Sequence, residues 1–315
     1  MKTLSLTLIT LAFCAVSVAQ TSADLKLNLE KNKIYRFTSK NEQTTIQTMN
    51  GNQQTVESSS SNTISLKMID ATPSFIVLEA RFDTMKIKSN SMGKIVSMSS
   101  TSEGNIQSKE ASDIMSYIMN RLSKNSVYAK LDYSGKVLEI VNAKMLSSML
   151  MKDTSAITLT GPVGSAVKMQ IAGLFSEGTL KANIEAFTSY LPGKSVTTGE
   201  SWTKTEINNA GGMSLEITAN SHLDAIKENK ANITSESSIK TAPNAQPMKS
   251  GVATITYDDL KGMSKSSTII DAGTGLIIET GSKTHIAGNL GISGPGFSMQ
   301  MPMDISSESK VVALK

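Results

Sequence analysis

Residues 25–52 read LKLNLEKNKIYRFTSKNEQTTIQTMNGN and carry the pattern that decides the fold. Apolar side chains recur at every second position, at Leu25, Leu27 and Leu29 and again at Tyr35 and Phe37. A period of two is typical of β-strands, and Asn-Gly is the dipeptide most strongly associated with tight hairpins. The stretch therefore predicts strands over residues 25–48 and a hairpin turn at residues 49–52.

The same alternation recurs through much of the remaining chain. It predicts strands at residues 64–68, 75–87, 127–132, 137–141, 201–207, 213–226, 232–242, 251–258, 263–271, 276–288 and 305–314. Three stretches lack it. Residues 53–62 predict an exposed strand end or a long loop, residues 89–105 a loop around a short strand, and residues 292–302 irregular structure.

The helical part of the sequence lies between residues 110 and 191. Over residues 110–124 the apolar side chains fall at helical spacing and form one face, Ile114, Met115, Ile118, Met119 and Leu122. Residues 143–153 predict a short Met-rich helix. Residues 163–191 predict a long helical region, with Gly173 and Gly178 as the points where it would break.

The predicted fold class is α+β, with mainly antiparallel, curved β-sheet and the helices of residues 110–191 packed on one face. We expect one β-rich domain over residues 20–315. Two hairpins turn on similar elements, Asp132-Tyr-Ser-Gly135 and Asp271-Ala-Gly273. This echo is compatible with two pseudo-repeated halves, 25–150 and 192–315, joined by the helical segment, although hairpin turns alone would produce it.

The first residues predict a signal peptide over 1–19. Lys2 provides the positive charge, residues 4–16 the apolar stretch, and Ser17-Val-Ala19 the small residues at a cleavage site. Cys14 lies inside the apolar stretch, and the bulky Phe13 before it argues against a lipoprotein anchor. No other run reaches the ~20 apolar residues of a membrane-spanning helix. The expected product is an exported protein, in the periplasm or associated with the outer membrane or the exterior.

Composition excludes several classes of protein. The 315 residues include one Cys, one Trp and two His, so a disulfide scaffold, a Cys-ligated metal site and a three-His metal centre are all excluded. Ser and Thr make up 76 residues, aromatic residues only 4%, and the net charge is +4. Without a basic run or aromatic platforms, nucleic-acid binding is not expected, and no cofactor is expected.

The candidate catalytic residues are few. His222 and His285 both fall in predicted strands, and either would be the general base of a hydrolase. Strand-surface positions explain them equally well, and no Gly-x-Ser-x-Gly element accompanies them. Asp258 and Asp259 are adjacent and would face opposite sides of a strand. Together with Asp271 they lack the ligand spacing of a calcium loop.

Methionine is the unusual feature of the sequence, with 18 residues. Methionine adapts to varied apolar partners, so Met and Ile side chains would line an apolar cavity between sheet and helices. The alternative is that Met replaces scarce aromatic residues in the core. Met299, Met301 and Met303 would share one strand face, where three thioethers are also compatible with copper. Asp83-Thr84-Met85 matches a short acceptor pattern for O-glycosylation in exported Bacteroidota proteins.

Residues 191–202 read LPGKSVTTGESW, in which Gly-x-x-Trp begins a strand after a Pro-Gly turn. With the leader, the Asn-Gly hairpin and the Ser-Gly-x-Val-Leu-Glu hairpin at residues 134–139, this resembles an uncharacterised family of secreted Bacteroidota proteins, a domain of unknown function. The resemblance covers most of the mature chain and implies no activity or catalytic residues. More loosely, the layout is similar to Lol-type periplasmic carriers of lipoproteins and lipids, which implies a curved sheet and helices around an apolar cavity.

The first functional hypothesis is therefore a non-enzymatic envelope protein that binds a lipid or another apolar or amphipathic ligand. The predicted wall residues are Met115, Met119, Met149, Met169, Ile171 and Trp202, although Trp202 would equally anchor the core. The second hypothesis is a structural or protein-interaction module of the envelope, with its exposed Ser/Thr-rich strands contacting a partner protein. A hydrolase is the third.

Overall fold

The computed structural model describes residues 22–49, 51–188, 191–210, 213–250 and 253–314. The predicted leader, with Cys14, lies outside the described residues. The first part of the chain forms β1 (Ser22–Leu25), β2 (Ile34–Met49), β3 (Asn52–Ala71), β4 (Ile76–Ser91), β5 (Lys94–Ser99), α1 (Ala111–Ser123), β6 (Val127–Leu131), β7 (Val137–Ile140), α2 (Ala143–Thr154), α3 (Gly161–Leu174) and α4 (Glu177–Thr188). The second part forms β8 (Lys194–Thr197), β9 (Ser201–Ala210), β10 (Met213–Lys227), β11 (Lys230–Thr241), β12 (Met248–Ser250), β13 (Ala253–Asp271), β14 (Ile277–Gly294) and β15 (Phe297–Leu314).

Thirteen of these strands form one curved antiparallel sheet, in the order β7-β6-β4-β3-β2-β15-β14-β13-β11-β10-β9, with β5 paired to β4 and β12 to β13. The last strand, β15, pairs with the first long strand, β2. β1 pairs with β8 in a separate two-stranded sheet. The predicted α+β class with mainly antiparallel sheet is confirmed.

Both parts of the chain form a meander of five strands that neighbour one another in chain order. From one edge of the sheet, the first series is β7-β6-β4-β3-β2, and beyond β15 the second is β14-β13-β11-β10-β9. Each series ends its last hairpin on an Asp turn. Asp132 Oδ1 accepts hydrogen bonds from Ser134 N and Lys136 N, and Asp271 Oδ1 accepts from Gly273 N and Thr274 N. Two halves related by such an order are compatible with the echo in the sequence.

The helices pack mainly at one end of the sheet, which we call the lower end; α3 also contacts β12, and the start of α4 approaches Asn209 of β9. At the lower end Phe37 of β2 meets Phe187 of α4, with ring centroids 5.8 Å apart. Residues paired across two strands lie on the same face of a sheet, and successive residues of one strand lie on opposite faces. The face that carries Phe37 is therefore the helix-facing side, and Lys40 and Glu42 lie on the opposite side. The apolar face predicted for the first helix is confirmed in α1, where Ile114, Met115, Ile118, Met119 and Leu122 are buried.

The segment after β1 closes the lower end. Leu25, Leu27 and Leu29 are buried, but β1 ends at Leu25, so the predicted strand over the following residues is wrong. Leu27 N donates to Tyr133 O and Asn28 N to Thr274 O. The alternation of apolar residues from Leu25 to Leu29 arises because this extended segment lies between the Asp132 and Asp271 turns and not within a sheet.

Two further expectations, for residues 53–62 and 292–302, also differ from the structure. Residues 53–62 lie within β3, whose strand continues through the Ser run because both neighbours, β2 and β4, supply its hydrogen bonds. Residues 292–302 form the regular hairpin of β14 and β15, with Gly294 opposite Phe297. The short strand expected at residues 95–98, within 89–105, is confirmed as β5, and the segment also holds the end of β4. The helical region of residues 163–191 is two helices, α3 and α4, which separate between the two predicted glycines.

Helix α4 lies between the two edge strands and packs on both β7 and β9. Glu185 Oε1 accepts a hydrogen bond of 2.7 Å from Val137 N of β7. Burial raises the pKa of Glu185, and the hydrogen bond from Val137 opposes that rise. Because the folded chain favours the protonated form, the contribution of Glu185 to stability is greatest below its unfolded pKa and is lost as pH rises through the raised value.

We expect Glu185→Gln to retain the acceptor for Val137 N and to remove the cost of the buried charge. The free energy of unfolding should therefore rise relative to the wild type as pH increases from 4 to 7, measured by urea denaturation at several pH values. Glu177→Gln, at an exposed position of the same helix, is the matched control and should show no such trend. A loss of stability in Glu185→Gln at every pH would contradict this account.

Gly135, in the β6–β7 turn, should tolerate no side chain. It has a φ of +84°, and a Cβ there would lie 1.9 Å from Thr188 O at the end of α4. Gly296 has a similar φ of +80° but open space around it. Gly135→Ala should thus lower the free energy of unfolding by about 1–2 kcal/mol more than Gly296→Ala, since both carry the cost of positive φ but only the first carries the clash. Equal losses would show that the turn moves freely away from α4.

Candidate functional site

Above the lower core, the helix-facing side of the sheet carries a band of hydroxyl and amide side chains. We call this band the hydroxyl belt. The register places its members on neighbouring strands at the same level, Ser39, Asn41, Gln43, Ser58, Ser60, Asn62, Ser221, Ser235, Ser237, Ser264, Ser266, Ser282, Thr284, Ser307 and Ser309. All but Ser221 are half-buried, and Ser221 is buried. The belt has no charged member.

Cross-strand hydrogen bonds hold part of this belt together. Ser221 and Ser235 hydroxyl oxygens are 2.8 Å apart, as are those of Ser264 and Thr284. At the lower border, buried Thr268 and Thr280 make a similar pair at 2.7 Å. Paired hydroxyls stabilise adjacent strands, and each oxygen keeps a further acceptor position. The belt is thus a polar, uncharged surface able to bind a polar group.

Beyond the belt, the same side becomes apolar again. Buried side chains from four strands form what we call the upper cluster, Ile239, Leu260, Ile286, Leu290, Met301, Met303 and Ile305. The half-buried residues around it also come from strands, Met213, Leu215, Ile217, Ile255, Tyr257 and Ile292. Among the described residues of this cluster none belongs to a helix, in contrast to the lower core, to which α1 to α4 all contribute.

Glycines bring the strands of the upper cluster unusually close. A Cβ on Gly288 would lie 2.8 Å from Leu260 Cα, and one on Gly262 would lie 2.9 Å from Ile286 Cα. Near them β13 bulges between Asp258 and Lys261, and bulges bend strands. The cluster therefore lies at a bend of the sheet.

The six predicted wall residues lie at the lower end instead. Met115 and Ile171 are buried in the lower core, and Met149 and Trp202 pack against it from half-buried positions. Met119 is buried, and Met169 is exposed. Their role in ligand binding stays a prediction. Met301 and Met303 stood out in the sequence, but as residues compatible with copper. The alternation of Ser and Met positions along single strands was the available signal for this surface. The pairing between strands, which brings these residues together, cannot be read from a single stretch.

The opposite side of the sheet is charged. A groove of about 1380 Å³ crosses β2, β3, β4 and β13 to β15 there. Its lysines and glutamates pair across strands, with Lys283 Nζ 2.7 Å from Glu308 and Lys265 Nζ 2.7 Å from Glu236. Each hydrogen bond raises the pKa of its lysine. These pairs are exposed and thus contribute little to stability, so this is a solvated face.

The two histidines lie on that charged side. His285 Nε2 is 2.8 Å from Asp304 Oδ2. His222 Nδ1 is 2.9 Å from Ser201 Oγ, and its Nε2 is 3.9 Å from Asp224 Oδ1. This places a Ser, a His and an Asp in a row, the order that nucleophilic catalysis needs. The neighbouring backbone amides donate to carbonyls already, Gly199 N to Leu223 O and Leu223 N to Glu200 O, so they do not supply an oxyanion site.

The remaining polar candidates are dispersed. Asp258 Oδ2 accepts hydrogen bonds from Thr256 and Gln300, Asp259 occupies the bulge with a φ of +52°, and Asp271 lies at the lower end. Over the described parts of the chain, no three His, Cys, Asp or Glu residues are close enough to hold a metal ion. Asp83-Thr84-Met85 lies in β4, with Thr84 half-buried, and its glycosylation stays a prediction.

Comparison with known families supplies a class for this chain. A family model described as "Family of unknown function (DUF6263)" matches residues 73–277, well over half of the 315 residues. The chain belongs to this DUF6263 family, in agreement with the expectation of an uncharacterised family. None of the curated proteins matches it.

Solved structures show weak likenesses. A lipovitellin structure described as showing lipid–protein interactions shares 12% identity over 91% of this chain, with a TM-score of 0.44; the chain spans 26% of the lipovitellin chain. An outer membrane channel from Pseudomonas putida shares 7% over 91% of this chain and 97% of its own, with a TM-score of 0.27. A DUF1329 family protein from Desulfovibrio piger shares 8% over 86% of this chain and 83% of its own, with a TM-score of 0.13.

No helix in the described parts of the chain combines the length and the apolar character required to span a bilayer.

We expect Ser201→Ala to leave the hydrolysis of p-nitrophenyl acetate unchanged from the rate of the unaltered chain, because the Ser201–His222–Asp224 row lacks oxyanion donors. Steady-state rates of both proteins, with His285→Ala as the matched control for the second histidine, check this. A Ser201-dependent rate that survives repeated purification would instead establish a hydrolase.

Proposed function

We propose that this protein is an exported, non-enzymatic binding protein for an amphipathic ligand with an acyl-like apolar part. The ligand contacts the helix-facing side of the sheet, with its apolar part on the upper cluster and its polar part on the hydroxyl belt. The observation that carries this proposal is that the upper cluster consists of strand residues alone. The cluster side chains shield one another, and the half-buried apolar residues around them, such as Leu215, Ile217 and Ile292, keep apolar surface that is favourable to bury against a ligand.

The composition of the two zones sets the class of ligand. Met301 and Met303 provide flexible, polarizable side chains that adapt to chains of different shape. The belt offers hydroxyl and amide groups but no charge, so it suits an ester, hydroxyl or amide head better than a bare ionic group, whose desolvation would need a partner. A lipid with an uncharged polar linkage next to its acyl chain satisfies both zones.

Native mass spectrometry tests the proposal directly. The chain from Gln20 to Lys315, which includes every described residue, is purified from its native cells, and its mass is compared before and after organic extraction. We expect an added mass that extraction removes and that identifies the ligand class. A clean apo mass would contradict the proposal.

A matched pair of variants localises the ligand. Met303→Gln places a polar group in the upper cluster and should lower the ligand-bound fraction several-fold, because apolar contact is lost where the ligand lies. Met263→Gln removes a similar side chain from the opposite, charged side of the same sheet, where Met263 is 58% exposed, and should leave the bound fraction unchanged. Thermal melts of both variants check folding. Equal occupancy in the two variants would place the ligand elsewhere, for example at the predicted wall residues.

The second candidate function is a protein-interaction module of the cell envelope. The broad groove on the charged side, with paired Lys and Glu side chains at its surface, favours it. A stable partner recovered by cross-linking in envelope extracts, together with a clean apo mass, would support this function over ligand binding.

A further inference from the structure

Three neighbouring hairpins, β2–β3, β4–β5 and β14–β15, form what we call the upper end of the sheet. This end is almost free of charge. No Asp, Glu, Lys or Arg occurs in the described stretches that form it, 43–49, 51–56, 89–93 and 286–303. The charged residue next to the β4–β5 turn, Lys94, is a lysine. Charged residues are 18% of the chain, so this segregation is strong.

Three neighbouring hairpins of the upper end each expose one large apolar side chain at the tip. Met92 is 85% exposed, Phe297 47% and Met49 46%. In the sheet order β4-β3-β2-β15-β14 these hairpins follow one another, so successive tips lie about two strand spacings, roughly 10 Å, apart. Gln, Asn, Ser and Thr occupy most of the positions around them.

Met92 is also conformationally unfavourable where it is. Ser91 pairs with Lys94, so Met92 and Gly93 form a two-residue turn with φ values of +52° and +80°. Such turns favour Asn, Asp or Gly at both positions. A Met with positive φ costs conformational energy, and at 85% exposure it regains none through packing. Turn stability does not explain this side chain, whereas an external contact does.

The lower end differs in charge. Its turns carry Asp132, Lys136, Glu228 and Asp271, among other charges, and the two aspartates there satisfy backbone amides. The low charge is therefore specific to the end of the sheet near which the upper cluster lies.

We propose that the upper end docks on the interfacial region of a lipid bilayer, with Met49, Met92 and Phe297 inserted among the headgroups. The inference rests on the ligand-binding function proposed above, because a bilayer is the source from which an amphipathic ligand reaches the upper cluster. Three side chains on separate tips bury a few hundred Å², less than the ~1,200 Å² of a stable protein–protein interface. Interfacial binding instead adds up from separate apolar side chains and a nearby lysine, which is the pattern observed.

Vesicle flotation tests this surface. The chain from Gln20 to Lys315 is mixed with vesicles of phosphatidylcholine, alone or with one part in four of phosphatidylglycerol. We expect binding to both and stronger binding to the second, since Lys94 favours anionic headgroups. The tip variant Met49→Gln, Met92→Asn, Phe297→Ser should lower the bound fraction at least about fivefold. Its thermal stability should not fall, because Asn suits the turn at position 92.

The matched control removes three equally exposed side chains from elsewhere, Ile34→Gln, Leu138→Gln and Val141→Gln, which are 58%, 44% and 54% exposed. This control should bind vesicles like the unaltered chain. Equal loss in both variants, or no vesicle binding by the unaltered chain, would overturn the inference. A dimer in sedimentation that the tip variant abolishes, without vesicle binding, would assign the tips to a second copy and also overturn it. A ligand found by mass spectrometry without vesicle binding would leave the proposed function intact.

Discussion

The central strands of this sheet are much longer than the helices that pack on it. Strands β3, β13, β14 and β15 contain 18 to 20 residues, which corresponds to about 60 Å at the usual rise per residue. Helices α1 to α4 contain 12 to 14 residues and reach only about 20 Å. The helices therefore cover mainly one end of the sheet, and the hairpins β2–β3, β4–β5 and β14–β15 at the other end have to satisfy their backbone and side chains without them. The remaining features of the molecule follow from this difference in length.

Each long strand changes character along its length because its surroundings change. Where helices cover it, the helix-facing side chains are Phe, Ile and Leu; past the helices they become Ser, Thr, Asn and Gln, which tolerate partial contact with water. Apolar side chains return only where the strands bend around Gly262 and Gly288 and shield one another. On the opposite side Lys and Glu keep the middle of the sheet hydrated. At the edges, α4 covers β7 and β9, which limits the exposure of unpaired strand backbone.

Much of the fold could be predicted from local pattern, and the errors share one cause. The period of two predicted most strands, and the helical face of Ile114 to Leu122 predicted α1, because both signals lie within one element. Residues 53–62 and 292–302 were misjudged because their strand character depends on neighbouring strands that supply hydrogen bonds. The segment around Leu27 was predicted to be a strand although it pairs with none. Its alternating pattern instead reflects contact with two turns that are distant in sequence. The hydroxyl belt and the upper cluster depend on cross-strand register, which no single stretch contains.

The turns at the two ends of the sheet are also built differently, although Glu228 at the lower end shares a positive φ with Met92 at the upper end. At the lower end Asp132 and Asp271 each satisfy backbone donors within their own turns, the chemistry that such turns favour. The buried carboxyl of Glu185, where α4 packs on β7, is unfavourable in its charged form. At the upper end Met92 occupies a positive φ at 85% exposure. Sites where local preference and backbone disagree are often functional. Here that disagreement coincides with a charge-free rim and with the two further exposed tips Met49 and Phe297, so backbone conformation, charge and exposure indicate the same end of the molecule.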